Sequence, residues 1–345
     1  MRTRLHARRS VRATVLAAVA GTVVACGGAA PAPGPDPVAE EPGRLSGELW
    51  LNPEGRGPVA VQQALAEGRT EDAETLEPLA EQPTATWLAT PENPYDQVLA
   101  ISEAAAAAGE LPVLVAYNVP NRDCGSYSSG GAADVDAYLA WIGSFAAALG
   151  DRPAVVILEP DAVPQAVAGC AGVDPPARYQ LLSQAVDILD RQPETSVYLD
   201  AGNASWVEDL PVLADALRAS GVDRAEGFSL NVANFEPTDE TAEYGLALSR
   251  ELEEGAPPEE ETTHVVIDTS RNGAGPLPEG GPDEERWCNP PGRELGEPPT
   301  TSTDLPRVDA LLWIKQPGDS DGTCRGGPPA GEWWPEAAQD LATEG

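Results

Sequence analysis

Histidine is nearly missing from this chain of 345 residues: His6 and His264 are the only two, and His6 lies close to the N-terminus. A Ser-His-Asp triad would have to use His264, and a multi-histidine zinc centre is excluded. Lysine is scarcer still, with Lys315 standing alone beside twenty arginines. A compact ammonium on a flexible stem is not interchangeable with a guanidinium. Positive charge is short altogether, 21 Lys and Arg against 56 Asp and Glu, for a formal net charge of −35. Setting aside the five arginines of residues 1–25, which carry no acids, leaves −40. Such a surface repels nucleic acid and anionic lipid and suits a neutral polymer or a cation. Acid–base chemistry falls to carboxylates.

What is present is a globular balance, 41% hydrophobic and 22% charged, with a Pro-rich and Gly-rich tilt. The length suffices for one large domain. The N-terminus is basic, and an apolar stretch from Ala13 to Ala25 follows it. That stretch is too short to span a bilayer as a helix and fits a signal h-region. It ends Val23-Val24-Ala25-Cys26-Gly27, which resembles a bacterial lipobox. The expectation is therefore a lipoprotein signal peptide over residues 1–25 and lipidation at Cys26. A Pro/Gly-rich tether over 26–43 and one domain over 44–345 complete the organisation. The protein is expected to be exported, and either lipid-anchored on the outer face of the bacterial cell membrane or secreted. Any membrane contact is expected only through Cys26. Four further cysteines, Cys124, Cys170, Cys288 and Cys324, imply two disulfides in an oxidising compartment. Three pairings are open. Cys124–Cys170 and Cys288–Cys324 are expected, because each pair brackets a polar motif.

Short apolar runs recur at Leu49–Leu51, Val113–Tyr117, Ala154–Leu158, Ser196–Leu199, Gly227–Leu230, His264–Ile267 and Ala310–Ile314. Nearly continuous apolar character marks strands buried on both faces. Helix-like stretches lie between them at 96–108, 134–149, 177–192, 208–220 and 239–253. In 134–149 the apolar positions Val135, Leu139, Ile142 and Ala146 repeat near 3.6 residues. The alternation predicts an α/β fold with a parallel sheet, open or closed into a barrel. Stretches 253–262 and 274–284 read as surface insertions, and Trp141 as core.

Six of these runs lead into polar clusters at their C-terminal ends. The clusters begin at Asn118, Glu159, Asp200, Asn231, Asp268 and Lys315. In a parallel α/β fold those ends face one mouth, where active sites form. Asp, Asn and Gly also favour turns, but six such clusters at the same end exceed what turns require.

The clusters carry a resemblance. They read Tyr-Asn-Val-Pro-Asn-Arg-Asp-Cys-Gly (117–125), Ile-Leu-Glu-Pro-Asp-Ala (157–162), Tyr-Leu-Asp-Ala-Gly (198–202) and Asn-Val-Ala-Asn-Phe (231–235). Further on stand Ile-Asp-Thr-Ser-Arg-Asn-Gly (267–273), Trp-Cys-Asn-Pro-Pro-Gly-Arg (287–293) and Trp-Ile-Lys-Gln-Pro-Gly-Asp-Ser-Asp-Gly (313–322). In this order, over about residues 49–340, the set resembles glycoside hydrolase family 6, the inverting cellulases. The resemblance implies a distorted parallel β/α barrel of about seven strands with an open cleft, acting on cellulose or a related β-1,4-glucan. Nothing in the sequence calls for a metal or an organic cofactor, and a monomer is expected.

Inverting hydrolysis needs an acid for the leaving oxygen and a carboxylate for the attacking water, roughly 6.5–9.5 Å apart. By resemblance Asp161 is the general acid and Asp123 the neighbour that governs its proton. Asp321 is the candidate base, Asp200 a supporting acid, and Ser129 part of a water route to Asp123. Aromatic faces stack on sugar rings and short polar groups read the hydroxyl rim. Trp206 and Trp287 match stacking residues, and Tyr117 the tyrosine beside the distorted sugar. Asn203, Asn234, Arg293, Lys315 and Asp319 match hydroxyl-binding positions. Asn203 stands where many members have His, and Asp319 where many have Glu. The chain looks short beside exo-acting relatives with long cleft-covering loops, and no second Trp follows Trp206 in the Asp200 loop, where fungal exo-acting members carry one; within the resemblance both favour an endoglucanase. A cellobiohydrolase and a surface-anchored glucan-binding protein with weak catalysis are the alternatives.

Overall fold

The computed structural model of the protein describes residues 43–254, 263–278 and 286–344. The expected signal peptide, Cys26, the tether before Gly43 and most of the two insertions lie outside the described residues.

Seven parallel strands form one sheet in sequential order. They are β1 (Thr86–Leu88), β2 (Val113–Ala116), β3 (Ala154–Leu158), β4 (Thr195–Asp200), β5 (Gly227–Leu230), β6 (His264–Asp268) and β7 (Val308–Leu312). The sheet curls into a half-barrel. Its two ends meet at one point, where the Ala85 N–H donates to Trp313 O at 2.9 Å. Trp87 Nε1 adds a bond to Ile314 O at 2.8 Å.

Alternation along the strands explains why they read as unbroken apolar runs. Val113, Val115, Val155, Ile157, Tyr198, Val266, Ala310 and Leu312 fill the interior. The intervening Leu114, Val156, Leu158, Leu199, Phe228 and Ile267 pack outward against the helices. Each fully buried Leu, Ile or Val stabilises the fold by about 1.5–3 kcal/mol.

The crossovers are right for parallel strands: α3 (Tyr95–Ala108), α4 (Val135–Leu149), α6 (Pro175–Leu189), α7 (Leu210–Ala219) and α8 (Thr238–Glu253). Three starts are fixed by side-chain caps. Asp134, Asp174 and Asp209 accept from the N–H groups of Ala137, Ala177 and Val212. Trp141 on α4 is core, 4% exposed and tilted against Phe145.

Some elements differ from expectation. Leu49–Leu51 is no strand; Leu49 makes a single bridge to Leu111. The first strand is instead Thr86–Leu88, three residues long and only partly buried. Four helices gave no clear period: α1 (Arg56–Ala66), α2 (Thr70–Ala80), α5 (Ala162–Ala168) and α9 (Pro335–Glu344). Of these, α1, α2 and α9 share a small cluster around Leu76, Leu79 and Ala338. Both expected disulfides are present, with Cα separations of 5.7 Å for Cys124–Cys170 and 6.3 Å for Cys288–Cys324.

Candidate active site

The C-terminal ends of the strands open on one cavity of about 1510 Å³. Its lining brings together Tyr117, Asp123, Ser129, Asp161, Asn203, Trp206, Asn234, Trp287, Lys315, Asp319 and Asp321. Of the expected site residues, Asp200 and Arg293 do not line it.

The residues just past the strands hold unusual backbone. Asp123 (φ 54°), Glu159 (φ 50°), Asp161 (φ 70°) and Asn231 (φ 64°) are all left-handed without being glycine. Such residues persist only where surrounding contacts over-determine them. Here Glu159, 1% exposed, accepts the N–H groups of Asn118 and Val119, and burial pushes its carboxyl up to about 7. The turn it holds leads to Arg122 and Asp123. Arg122 donates to the carbonyls of Tyr117, Ala89 and Ser128, and lies over the Tyr117 ring at 4.7 Å.

Asp161 is half-buried at the head of α5. Its N–H donates to Asp200 Oδ2 at 2.8 Å, and the nearby Tyr117 side chain pulls its carboxyl down. Burial, then the charges of Asp200 and Asp123, push the Asp161 carboxyl well above the carboxylate range. Burial also raises Asp200, which is 1% exposed. But Asp200 accepts three donors, the N–H groups of Asp161 and Gly202 and the Ser229 hydroxyl. Donors favour the ionised form, so the negative charge sits on Asp200 and the proton on Asp161. Asp123 is raised by burial, against the pull of the Ser128 N–H at 2.7 Å and Gln165 Nε2 at 3.2 Å.

Asp321 has the opposite setting. Burial alone would raise it, but Arg271 Nη1 and Lys315 Nζ, each at 3.0 Å, hold it at about 2 with help from the Asn289 N–H. The sole lysine thus forms part of a buried ion-pair network. Asp319, with Arg56 Nε 3.8 Å away, is raised by burial to about 6.

Trp206 and Trp287 are 37% and 39% exposed on the cavity wall, unlike core tryptophan. Gly202 lets the first approach: at φ 74° a Cβ there would lie 2.9 Å from Pro164 Cγ and 3.2 Å from Trp206 Cε3. Arg293 departs from expectation. It donates to the carbonyls of Pro291, Ala274 and Gly275 and so braces a loop. Arg56, Arg122 and Arg286 line the cavity. Sequence reasoning missed Trp87, which meets Tyr117 edge-on at 5.2 Å, because no motif surrounds it. It also missed Arg122 and Gln165; the first stands inside a quoted motif, the second one turn beyond Asp161. Trp333 bridges Asp319 through its backbone and packs beside Ala338. Among the described residues no group of three His, Cys, Asp or Glu is arranged for a metal ion.

The family model for glycosyl hydrolases family 6 matches residues 46–345. Endoglucanase 1 of Streptomyces halstedii is 38% identical over 95% of this chain and 97% of its own length. Endoglucanase 1 of Streptomyces sp. (strain KSM-9) is 40% identical over 77% of this chain and 70% of its own. Among solved structures, the endoglucanase Cel6 from Mycobacterium tuberculosis superposes with a TM-score of 0.78 at 42% identity. That match covers 87% of this chain and 97% of the other, which was solved with methyl-cellobiosyl-4-deoxy-4-thio-β-D-cellobioside. With these matches and the curled seven-stranded sheet, the chain belongs to glycosyl hydrolases family 6.

Proposed function

We propose that the protein hydrolyses internal β-1,4-glucosidic bonds of cellulose or a related β-glucan, with inversion at the anomeric carbon. The observation that carries this reading is Asp161 on the cavity wall with its N–H on Asp200 Oδ2 and Asp123 lining the same cavity, a setting of burial and neighbouring carboxylates that favours its protonated form. Asp161 gives that proton to the leaving oxygen as the glycosidic bond breaks. Asp321, ionised and paired with Arg271 and Lys315, holds those two cations beside the cavity. Water attacks from the opposite face. Its proton has a better acceptor in Asp123, raised by burial, than in Asp321, held at about 2. Ser129, on the cavity wall, lies on the route to Asp123 that the family resemblance implies. Trp206 and Trp287 offer faces to sugar rings, and Asn203, Asn234, Lys315 and Asp319 offer groups to hydroxyls. Endo action is supported by relatives named endoglucanases.

Export through residues 1–25, a lipid anchor at Cys26 and a monomeric state complete the proposal, on sequence grounds. Labelling with palmitate that is lost in Cys26→Ala tests the anchor.

The central test is anomeric-proton NMR during cellohexaose hydrolysis, with carboxymethylcellulose viscosity recorded alongside. Early α-product with a fast viscosity drop is expected. β-Product would overturn the mechanism, and α-cellobiose with steady viscosity would mean exo action.

A further inference from the structure

The cleft wall beside Trp206 carries a carboxylate to which the family resemblance gives no role. Glu236 lines the cavity with Asn203, Ser205, Trp206 and Asn234. Its main chain is fixed on both sides. The N–H donates to Asn231 Oδ1 at 3.0 Å, and the carbonyl accepts Asn231 Nδ2 at 3.1 Å and Asn272 Nδ2 at 3.0 Å. From this mount Glu236 Oε1 meets the Ser205 hydroxyl. Ser205 in turn faces Asn203 Oδ1, with its backbone N–H at 3.2 Å and its hydroxyl at 3.0 Å.

Two chemical constraints order this chain of contacts. A backbone N–H only donates, so the Asn203 amide must turn its oxygen to Ser205. Its NH2 group then faces the other way, and among the described residues it has no partner. A serine hydroxyl has one proton for two acceptors here. The charged acceptor, Glu236, takes it in a charge-assisted bond, and the Ser205 N–H keeps the Asn203 oxygen. Glu236 Oε2 also has no partner among the described residues. A buried amide with two free donors, Asn203 being 3% exposed, therefore stands near a carboxylate with a free acceptor oxygen. Both line the wall that Trp206 faces. A donor and an acceptor beside an aromatic face match adjacent hydroxyls on a neutral sugar ring.

We propose that Glu236 is a substrate-positioning residue: through Ser205 it fixes Asn203 as a donor, and its own free oxygen accepts from a neighbouring hydroxyl of the glucosyl unit on Trp206. Where many relatives present one longer histidine, this chain uses an asparagine that two further residues hold in place. The inference rests on the β-glucan reading given above.

The test is kcat and KM on cellohexaose for the wild type, Glu236→Gln, Ser205→Ala, the double variant and Asn203→Asp, with the melting temperature of each. Losing a hydrogen bond to a charged group should raise KM about tenfold in Glu236→Gln, with kcat within about threefold. Asn203→Asp keeps an oxygen toward the Ser205 N–H but loses both donors, so its KM should rise similarly. The double variant should fall short of the product of the single effects, because both break one link. A lowered melting temperature with unchanged KM would make Glu236 purely structural and overturn the proposal, and multiplicative single effects would overturn the relay through Ser205. A wild type that neither binds nor cleaves cellohexaose would sink the glucanase reading instead.

Discussion

A carboxylic acid that must stay protonated needs surroundings that penalise its charge. Asp161 has burial, Asp200 and Asp123 to do so. Asp161→Asn should fold normally, bind cello-oligosaccharide and lose about 10²–10⁴-fold in rate on cellohexaose, with a smaller loss on aryl glycosides whose leaving group needs no proton. An unchanged rate would remove Asp161 from the mechanism. Asp200→Asn deletes the nearest negative charge, so Asp161 should release its proton more readily. The alkaline limb of kcat/KM should then move to lower pH. Asp321 makes the opposite case for stability. Its folded-state carboxyl, held at about 2, lies below the ordinary 3.8. Its ion pairs therefore contribute fully above about pH 4 and fade as the pH falls toward 2. Arg271→Ala leaves that buried carboxylate with one cation, so the melting temperature at pH 7 should drop and its acid dependence should flatten. At this scale the sequence exposed the carboxylates but not their couplings. Asp161 is found through the family resemblance of the Glu-Pro-Asp motif that follows a buried strand. The bond from its N–H to Asp200, and Arg271 beside Asp321, join residues 39 and 50 positions apart, and no local pattern records that.

The elements most easily read were the ones with both faces buried. β2 to β7 announce themselves as apolar runs because the interior and the helices need apolar neighbours on alternate residues. β1 has three residues and a half-buried Trp87, too little for a pattern. α1 buries Ala64 alone, and in α2 acids crowd around Ala73, Leu76 and Leu79, too little in either for a clear apolar face. The disulfides were legible from cysteine number and from the motifs they bracket. The first ties the short turn Asp123–Gly125, next to the Asp123 carboxylate, to the residue that follows the Gly169 cap of α5. It closes a loop of 46 residues. Cys124→Ala with Cys170→Ala should lower stability by about 2–5 kcal/mol. Calorimetry should record the lower melting temperature. The pH optimum should broaden as well, because Asp123 is no longer held near Asp161; a melting shift without any change in the pH profile would confine the bridge to stability.

Across the whole molecule the dominant quantity is charge, and it was plain from composition: 56 acids against 21 bases. Within the cleft that imbalance is softened, since Lys315 and Arg271 pair with Asp321 and Arg56 stands near Asp319. Outside it the acids repel one another and any polyanion. Two consequences separate by salt. Raising sodium chloride from about 0.1 M to about 1 M shortens the Debye length from about 10 Å to about 3 Å and weakens the repulsion between exposed acids, so the melting temperature should rise. The same screening should lower KM for carboxymethylcellulose, a polyanion, while KM for cellohexaose, which is neutral, stays flat. Steady-state kinetics on both substrates across one salt series distinguishes long-range repulsion from local binding. If cellohexaose KM followed salt as steeply as the charged polymer, the fixed charges of the cleft itself would be governing sugar binding. A flat line for the neutral substrate places the effect on the outer surface, where acids outnumber arginines and the single lysine, held in the cleft, contributes nothing.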